Sequence, residues 1–291
     1  MGESTLLTII MPLAIGVIML GLGLSLTIDD FTRIIKYPKA VIVGFLSQFL
    51  ILPVICLFVA KAYQLSPELA VGLMLLAASP GGATANLYSH LFNGDVALNI
   101  TLTAVSSILA LITLPIIVNL SLMFFMGESQ YISIQFGKTL QVFAVVLIPV
   151  FIGMIIHKKR PSISAIMEKP VKISSAILLA LVIIAVVIQN IDNMKNYFQE
   201  VGLAALSFNL LSLCVGYFLS RWLKITKRQA IAISMEVGIH NGTLAIFIAI
   251  SLLNNETMAI PAAIYSLIMF FTAAAFGYFV NLRKEEVIQK V

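Results

Sequence analysis

Charged residues are scarce in this chain. Of its 291 residues only 11% are Asp, Glu, Lys or Arg, whereas 60% are hydrophobic and the mean hydropathy is +1.05. A soluble domain of this size could not cover its surface with so few charges. The composition therefore excludes a soluble globular protein and predicts an all-α polytopic membrane protein.

Cysteine is equally scarce. The two cysteines, Cys56 and Cys214, lie far apart within apolar segments, so they form neither a disulfide framework nor a metal motif. The apolar segments also lack a Ser/His dyad, paired aspartates and a His-Glu-x-x-His motif. We therefore expect neither an enzyme nor a protein with a resident cofactor.

Long apolar runs, in contrast, are abundant. Nine of them are bounded by charges, Pro, Gly or Asn and are long enough to cross a membrane. The first lacks the basic region and cleavage site of a signal peptide, so we expect a retained helix. The nine predicted spans are Leu6–Leu26, Ala40–Tyr63, Pro67–Leu91, Val96–Phe125, Phe136–Ile156, Val171–Gln189, Val201–Trp222, Gln229–Leu253 and Ala259–Leu282.

The basic residues are distributed unevenly between the two sides that nine spans create. Fifteen of the 18 Lys and Arg residues fall on one side, and only Lys61, Lys138 and Lys195 fall on the other. The positive-inside rule then places the N-terminus outside and the C-terminus in the cytoplasm of a multi-pass inner (plasma) membrane protein. This bias accounts for the net charge of +5, so the bilayer is expected as a partner and nucleic acid is not. The sequence predicts no protein partner.

Two of the predicted spans are interrupted. The third contains Pro80-Gly81-Gly82, and the eighth is broken from Gly238 to Gly242. Segments 65–84 and 225–244 correspond at a spacing of 160 residues, and the second residue of each, Ser66 or Thr226, is a hydroxyl residue suited to cap a helix. The first enters the membrane from outside and the second from the cytoplasm, which predicts inverted repeats with two crossing broken helices. Such paired breaks indicate the binding site of a secondary transporter.

The breaks create helix ends inside the protein. The half-helix N-termini, at 82–84 and 242–243, offer N–H groups to an anion, while the C-termini, at 78–79 and 237–239, offer carbonyl oxygens to a cation. Glu236 adds a negative charge, and no Lys or Arg lies within seven residues of it. An ionisable group within a membrane span indicates a functional site, and oxygen ligands suit Na⁺.

Four sequence blocks carry a resemblance to a known family. They are Ser47-Gln48-Phe49, Pro80-Gly81-Gly82, Gly94-Asp95-Val96 and Glu236-Val237-Gly238-Ile239-His240-Asn241. With these blocks, the chain resembles the bile acid:sodium symporter family over essentially its whole length. The resemblance implies a core domain that moves against a panel domain. The implied core halves are 38–126 and 200–282, the panel segments are 1–27 and 133–190, and a cytoplasmic tail follows at 283–291.

The resemblance also implies two sodium sites that share Glu236. The first has Asn86 and Thr103 as ligands, with Asn99 in the place of one family serine and Ala85 in the place of another. We expect this site to persist with altered geometry. The alternative for Asn86, Asn99 and Thr103 is that they only hydrogen-bond across helices.

The second implied site has a replaced ligand. It consists of Gln48, Glu236, the carbonyls of Val237 and Ile239, and His240 in the place of a family glutamine. Imidazole is a poor Na⁺ ligand, so we expect this site to be weak. Three roles stay open for His240: a structural histidine, a substrate contact and a proton-sensitive element. Gln48 has the alternative role of a hydrogen bond between helices.

The implied substrate site lies at the half-helix N-termini. Asn241 matches a family asparagine beside the substrate cavity and is the strongest single candidate for a substrate contact. A family His-Asn pair is replaced by Met269-Phe270, so the resemblance does not imply specificity for bile acids. The predicted substrate-binding residues are Gly82, Ala83, Thr84, Asn241, Gly242, Thr243 and Met269.

Together these features predict a sodium-coupled symporter of an organic anion, either bile-acid-like or a small carboxylate, that works by alternating access. One alternative is proton coupling on the same fold, with Glu236 or His240 carrying the proton. A second alternative is a sensor that binds a ligand without transporting it.

Overall fold

The fold is entirely helical over the part of the chain that a computed structural model describes, residues 3–127 and 136–282. The predicted tail, 283–291, lies outside the described residues. Two π-helical turns, Ser47–Ile51 and Val215–Leu219, and two 3₁₀ turns, Arg33–Ile35 and Thr257–Ala259, join some of the helices. The α-helices are α1 Glu3–Ser25, α2 Ile28–Thr32, α3 Pro38–Leu46, α4 Leu52–Ala62, α5 Pro67–Ala78, α6 Ala83–Leu91, α7 Val96–Met126, α8 Phe136–Lys159, α9 Pro161–Gln189, α10 Ile191–Cys214, α11 Ser220–Trp222, α12 Lys227–Gly238, α13 Gly242–Ser251 and α14 Ile260–Leu282.

Several helical segments are suited to cross a membrane. By length and composition, five of the described segments qualify, and a sixth qualifies if Pro12–Ser25 and Ile28–Ile35, bent by 76°, count as one span. Helices α5 and α13 are apolar but shorter. The polytopic helical class is therefore confirmed, while the division into nine spans stays a prediction. The five segments are Pro38–Ala62, Val96–Met126, Pro161–Gln189, Ile191–Trp222 and Thr257–Leu282.

Two helices begin well before the spans predicted from hydropathy. Helix α9 begins at Pro161 instead of Val171, and α10 begins at Ile191 instead of Val201. Hydropathy marks where side chains become polar, whereas backbone hydrogen bonds carry a helix beyond the hydrocarbon. Proline at the first helical position supports the early start of α9, because no backbone N–H is needed there.

The stretch between the first two predicted spans contains a short capped helix. After α1 the chain turns into α2, whose capping residue Thr27 donates from its backbone N and from its Oγ1 to Asp30 Oδ2, at 2.7 and 2.8 Å. Asp30 is buried and also accepts a hydrogen bond of 2.7 Å from Arg33 Nη1. This reciprocal capping arrangement folds the segment between the first two predicted spans.

The helices associate in two main sets of contacts. Helix α1 packs mainly on α8 and α9, whereas α5 packs on α7, α10 packs on α14, and α12 packs on α6 and α7. The contact between α1 and α8 is close, since a Cβ on Gly23 would lie 2.1 Å from the carbonyl oxygen of Val150. Small residues allow membrane helices to approach in this way. These contacts agree with the grouping of the panel segments, but the domain division itself stays a prediction.

Backbone geometry recurs at a spacing of 160 residues. Gln64 and Lys224 both have a left-handed backbone, with φ of 52° and 58°, just before α5 and α12, which contain 12 residues each. Asp95 and Asn255 each accept a hydrogen bond of 3.1 Å from the backbone N–H three residues later. The two repeats therefore share backbone turns and caps outside segments 65–84 and 225–244. They do so even at paired positions with different residues, such as Gln64 and Lys224 or Asp95 and Asn255.

Candidate functional site

The two broken helices meet at their breaks. Helices α5 and α6 are separated by residues 79–82, and α12 and α13 by residues 239–241. An antiparallel bridge pairs Gly81 with His240, and the backbone N–H of Asn241 donates to the carbonyl of Pro80 at 3.0 Å. The breaks lie where Pro80, Gly81, Gly82, Gly238 and Gly242 predicted them, and each satisfies backbone groups of the other.

Gly81 lies directly against Glu236. A Cβ on Gly81 would come within 2.8 Å of the side-chain carboxyl carbon, of Oε2 and of the backbone oxygen of Glu236. Only glycine lets the first break approach the acid at this distance.

Glu236 is a buried acid without a basic partner. It lies near the end of α12 with 2% of its surface exposed. Thr103 Oγ1 donates to its Oε2 at 2.6 Å, and Ser106 Oγ lies 3.3 Å from its Oε1. Among the residues that the structure describes, no Lys or Arg pairs with Glu236. A buried charge without a counter-charge is costly, so this position favours a bound cation.

Amide oxygens complete the surroundings of the acid. Asn86 Oδ1 lies 3.4 Å from Thr103 Oγ1, which joins α6 and α7 beside Glu236. Asn99, one turn before Thr103 on α7, donates from Nδ2 to the Ala232 carbonyl at 2.6 Å, and its buried Oδ1 has no hydrogen-bond partner. Ala85 is fully buried and contributes no polar side-chain atom. An unpaired amide oxygen, hydroxyls and a carboxylate form a donor set of the kind that hard cations prefer.

Ser106 was missed by the sequence reasoning. It follows Thr103 by three residues on α7, a spacing that places two side chains on the same helix face and that could have indicated it. Its hydroxyl can donate to the Leu102 carbonyl at 2.6 Å or to Glu236 Oε1 at 3.3 Å. Donation to Leu102 leaves the oxygen lone pairs available to a cation beside Glu236.

The Ser106→Ala substitution is expected to weaken sodium binding about tenfold, because one oxygen beside the carboxylate is lost. The measurement is the midpoint of a sodium titration of thermal stability, with potassium keeping the ionic strength constant. Ser121→Ala is the matched control, since Ser121 is also buried on α7 and donates to the carbonyl four residues earlier at 2.6 Å. Equal midpoints for the two variants would contradict a role for Ser106.

The residues of the predicted second sodium site are only partly arranged for an ion. Gln48 lies in the π-helical turn Ser47–Ile51, where its Nε2 donates to the Ala77 carbonyl at 3.1 Å and its buried Oε1 has no partner. His240 Nδ1 lies 3.0 Å from the Ser79 carbonyl oxygen. Because a carbonyl only accepts, Nδ1 carries the proton, and the buried Nε2 has no partner.

The His240 ring is fixed by aromatic neighbours. It stacks on Phe208 with 5.5 Å between centroids and 5° between planes, and it lies 5.4 Å from the ring of Tyr265. The ring therefore contacts α10 through Phe208, α14 through Tyr265 and the first break through Ser79. Of the three roles left open, this arrangement favours the structural one.

The end of α12 is held by a network that sequence reasoning also missed. The Gly238 carbonyl, which lies between those of Val237 and Ile239, accepts hydrogen bonds from Asn209 Nδ2 at 2.9 Å and from the Tyr265 hydroxyl at 2.8 Å. Thr272 Oγ1 donates to Asn209 Oδ1. No motif marks these residues, because they come from α10 and α14 and meet only in the folded chain.

The predicted substrate residues lie at the starts of α6 and α13. Asn241 Oδ1 accepts from the Leu244 backbone N–H at 3.0 Å and so caps α13, and its Nδ2 would lie 4.0 Å from a Cβ on Gly82. The structure therefore brings Gly82 and Asn241 together. The remaining members differ in exposure: Ala83 and Thr84 are partly exposed, whereas Gly242, Thr243 and Met269 are buried.

Comparison with known proteins identifies the family. Residues 12–197, more than half of the chain, match the Sodium Bile acid symporter family. This chain belongs to the sodium bile acid symporter family. The match includes the first break together with Asn86, Asn99 and Thr103, and it ends before Glu236. The resemblance inferred from the sequence blocks is thus confirmed.

Individual members of the sodium bile acid symporter family are similar at moderate identity. The chain is 31% identical to the probable sodium/metabolite cotransporter BASS1, chloroplastic, of Arabidopsis thaliana, over 85% of this chain and 61% of that protein. It is 29% identical to the uncharacterized sodium-dependent transporter YocS of Bacillus subtilis (strain 168), over 87% of this chain and 77% of that protein. It is also 29% identical to the P3 protein of Homo sapiens, over 84% of this chain and 51% of that protein. The chain thus spans less than two thirds of the Arabidopsis protein and about half of the human one.

The names of the plant and Bacillus relatives describe transporters rather than enzymes, as expected for a member of the sodium bile acid symporter family. The described residues contain no group of three or more His, Cys, Asp or Glu side chains that could hold a metal ion. The site at Glu236 instead combines one carboxylate with neutral oxygen atoms, which does not resemble the nitrogen and sulfur sites of transition metals.

Proposed function

We propose that the chain is a sodium-coupled symporter of an organic anion, bile-acid-like or a small carboxylate, that works by alternating access. One observation carries the proposal: the buried Glu236 carboxylate has hydroxyl neighbours but no basic partner, and it lies where the breaks of two helices meet. The family and the names of its plant and Bacillus members support coupling to sodium.

In this proposal one Na⁺ binds beside Glu236. Its ligands are the carboxylate, the Thr103 and Ser106 hydroxyl oxygens, and the amide oxygens of Asn86 and Asn99. The ion neutralises the buried charge and draws together α6, α7 and α12, which carry these side chains. A second ion at Gln48, Glu236, Val237, Ile239 and His240 binds weakly, because His240 is engaged by Ser79 and by aromatic rings.

The anion binds at the N-termini of α6 and α13. The N–H groups of residues 82–84 and of Thr243 and the side chain of Asn241 face a carboxylate, and Met269 contributes an apolar contact. The Gly242 N–H donates instead to the His240 carbonyl at 3.1 Å. Because Asn241 also pairs with Pro80, a bound Na⁺ that steadies the breaks orders the anion site as well. Sodium and substrate then raise each other's affinity by the same factor, as linkage requires.

Alternating access is proposed for a chain of nine spans in the plasma membrane, with the N-terminus outside and the C-terminus in the cytoplasm. Core segments 38–126 and 200–282 move against panel segments 1–27 and 133–190. The mutual contacts of α1, α8 and α9 support this division, as do the separate contacts among α5, α7, α10, α12 and α14. The excess of Lys and Arg on one side supports the orientation.

Uptake into proteoliposomes tests the proposed function. Candidate anions such as taurocholate, pantoate and 2-oxo acids are first screened for thermal stabilisation of the purified protein in sodium and in potassium. We expect at least one anion to stabilise the protein only in sodium, and the same labelled anion to accumulate only under an inward sodium gradient. The initial rate should depend hyperbolically on sodium, since one ion dominates the coupling.

Three results would contradict the proposal. Uptake that ignores the sodium gradient would remove sodium coupling altogether. Uptake driven by an imposed pH gradient in sodium-free buffer would assign the coupling to protons. Sodium-dependent binding without accumulation in any liposome preparation would indicate a sensor.

A further inference from the structure

A hollow lined by lysines lies away from the site at Glu236. It has a volume of about 220 Å³ and lies between the segment that begins α3 and the segment that begins α12. We call it the basic hollow, and its lining includes Lys36, Tyr37, Lys39, Lys224, Thr226 and Gln229. Its lining residues Thr226 and Gln229 lie at the start of α12, about 10 to 15 Å along the helix from Glu236 near its other end. The basic hollow is therefore separate from the proposed transport site.

The charge of the basic hollow is all of one sign. Lys36, Lys39 and Lys224 are exposed, and no Asp or Glu lines the hollow. The acid nearest in sequence, Asp30, is buried in its ion pair with Arg33. Three lysines that line one hollow create a positive potential there, so the arrangement favours a bound anion.

Backbone dipoles add to this charge. Helix α3 begins at Pro38 and α12 begins at Lys227, so the N-termini of both helices lie at the basic hollow. The N-terminal end of a helix carries a partial positive charge and attracts phosphate groups. Tyr37 and Gln229 also line this space. The Gln229 Oε1 accepts from Thr226 Oγ1 at 3.1 Å, which leaves the Gln229 Nε2 to donate to an anion.

The flanks of the basic hollow are suited to a lipid. Ile35, next to Lys36, is 84% exposed, and Trp222, two residues before Lys224, is 78% exposed. Trp222 is the only tryptophan of the chain. Tryptophan prefers the level of the lipid headgroups, and a large exposed isoleucine beside it suits contact with acyl chains. A free anion in solution would require neither of these side chains.

We propose that the basic hollow binds the phosphate group of an anionic phospholipid, such as phosphatidylglycerol, whose acyl chains lie against Ile35 and Trp222. The lysines attract the phosphate, and Tyr37 and Gln229 hydrogen-bond the headgroup. Basic hollows between membrane helices are suited to such headgroups. The bound lipid joins the starts of α3 and α12 and so steadies the helix that carries Glu236 at its other end.

The test uses the full chain in zwitterionic detergent, with dihexanoyl phosphatidylglycerol, dihexanoyl phosphatidylcholine, glycerol phosphate and inorganic phosphate as probes. The expected result is a thermal shift with phosphatidylglycerol alone. Each lysine is expected to contribute about fivefold in affinity, so a Lys36→Gln/Lys39→Gln/Lys224→Gln variant should bind about a hundredfold more weakly. The matched control Lys158→Gln/Lys159→Gln/Arg160→Gln removes three charges from another basic segment and should bind like the wild type.

The remaining outcomes decide between sources of the phosphate and guard against misfolding. An equal shift with glycerol phosphate or inorganic phosphate would overturn the lipid and indicate a soluble phosphate ligand. A shift by phosphatidylglycerol that survives in the triple variant, or that disappears equally in the control, would overturn the site itself. A Lys36→Arg/Lys39→Arg/Lys224→Arg variant should retain the shift, which shows that loss in the glutamine variant reflects charge and not folding.

Discussion

Replacing Glu236 with glutamine is expected to abolish sodium-driven uptake. Two opposite unit charges 4 Å apart attract by about 4 kcal/mol at an effective dielectric constant of about 20, which corresponds to about a thousandfold in affinity. Glutamine keeps the size of the side chain and one carbonyl oxygen but removes the charge. Sodium titration of thermal stability and uptake into proteoliposomes under a sodium gradient are the measurements.

The same substitution should raise stability in the absence of sodium. A buried carboxylate without a counter-charge destabilises the folded protein, so its neutral replacement is expected to melt at a higher temperature in potassium buffer. Glu256→Gln is the control, because Glu256 is an exposed carboxylate and should keep the wild-type response to sodium. A Glu236→Gln protein that sodium still stabilises, with an unchanged midpoint, would show that the cation binds elsewhere.

The Gly81→Ala substitution is also expected to cause a large loss of stabilisation by sodium. The added methyl group would lie 2.8 Å from three atoms of Glu236, including Oε2, so either the break or the carboxylate must move. Overpacking of this kind costs about 2 kcal/mol of folding stability. We expect the variant to lose most of its stabilisation by sodium, measured as the difference in melting temperature between sodium and potassium buffers.

The neighbouring glycine provides the control for this experiment. A Cβ on Gly82 would meet its nearest atom, Asn241 Nδ2, only at 4.0 Å, and the backbone there is extended with φ of −144°. Gly82→Ala should therefore keep the stabilisation by sodium. If both alanine variants lost the stabilisation by sodium equally, any side chain in the break would disrupt the fold. The result would then contradict a specific role for the contact between Gly81 and Glu236.

Much of the candidate site could be predicted from local sequence. Pro80, Gly81 and Gly242 cannot continue an apolar helix without cost, so the breaks follow from backbone chemistry at those positions. Glu236 is conspicuous because membrane spans rarely contain an acid. Asn86 and Thr103 were inferred from the family resemblance, and the structure places Thr103 beside Glu236 and Asn86 next to Thr103. The repeat at a spacing of 160 residues could also be predicted from the sequence, because the turns and caps of each repeat depend on its own local residues.

Other contacts could not be predicted, because they join residues that are distant in sequence. Ser106 reaches Glu236 across 130 positions, and Tyr265 reaches Gly238 from a different helix. Such contacts depend on how α7, α12 and α14 rotate and approach each other. The periodicity of residues along a single helix does not predict this relative orientation. The starts of α9 and α10 differ from the predicted spans for another reason. Hydropathy indicates which residues lie in the membrane and does not indicate where the helix begins.

The sequence by itself therefore determined that this protein lies in a membrane, that two of its helices break, and that an acid lies at one break. These properties follow from composition and from residues acting on their own backbone. Only the tertiary structure decided that Gly81 contacts that acid, that aromatic rings hold His240, and that distant lysines form the basic hollow. The physical reason is that burial and charge compensation arise from packing between helices, which fixes neighbours that the order of residues leaves open.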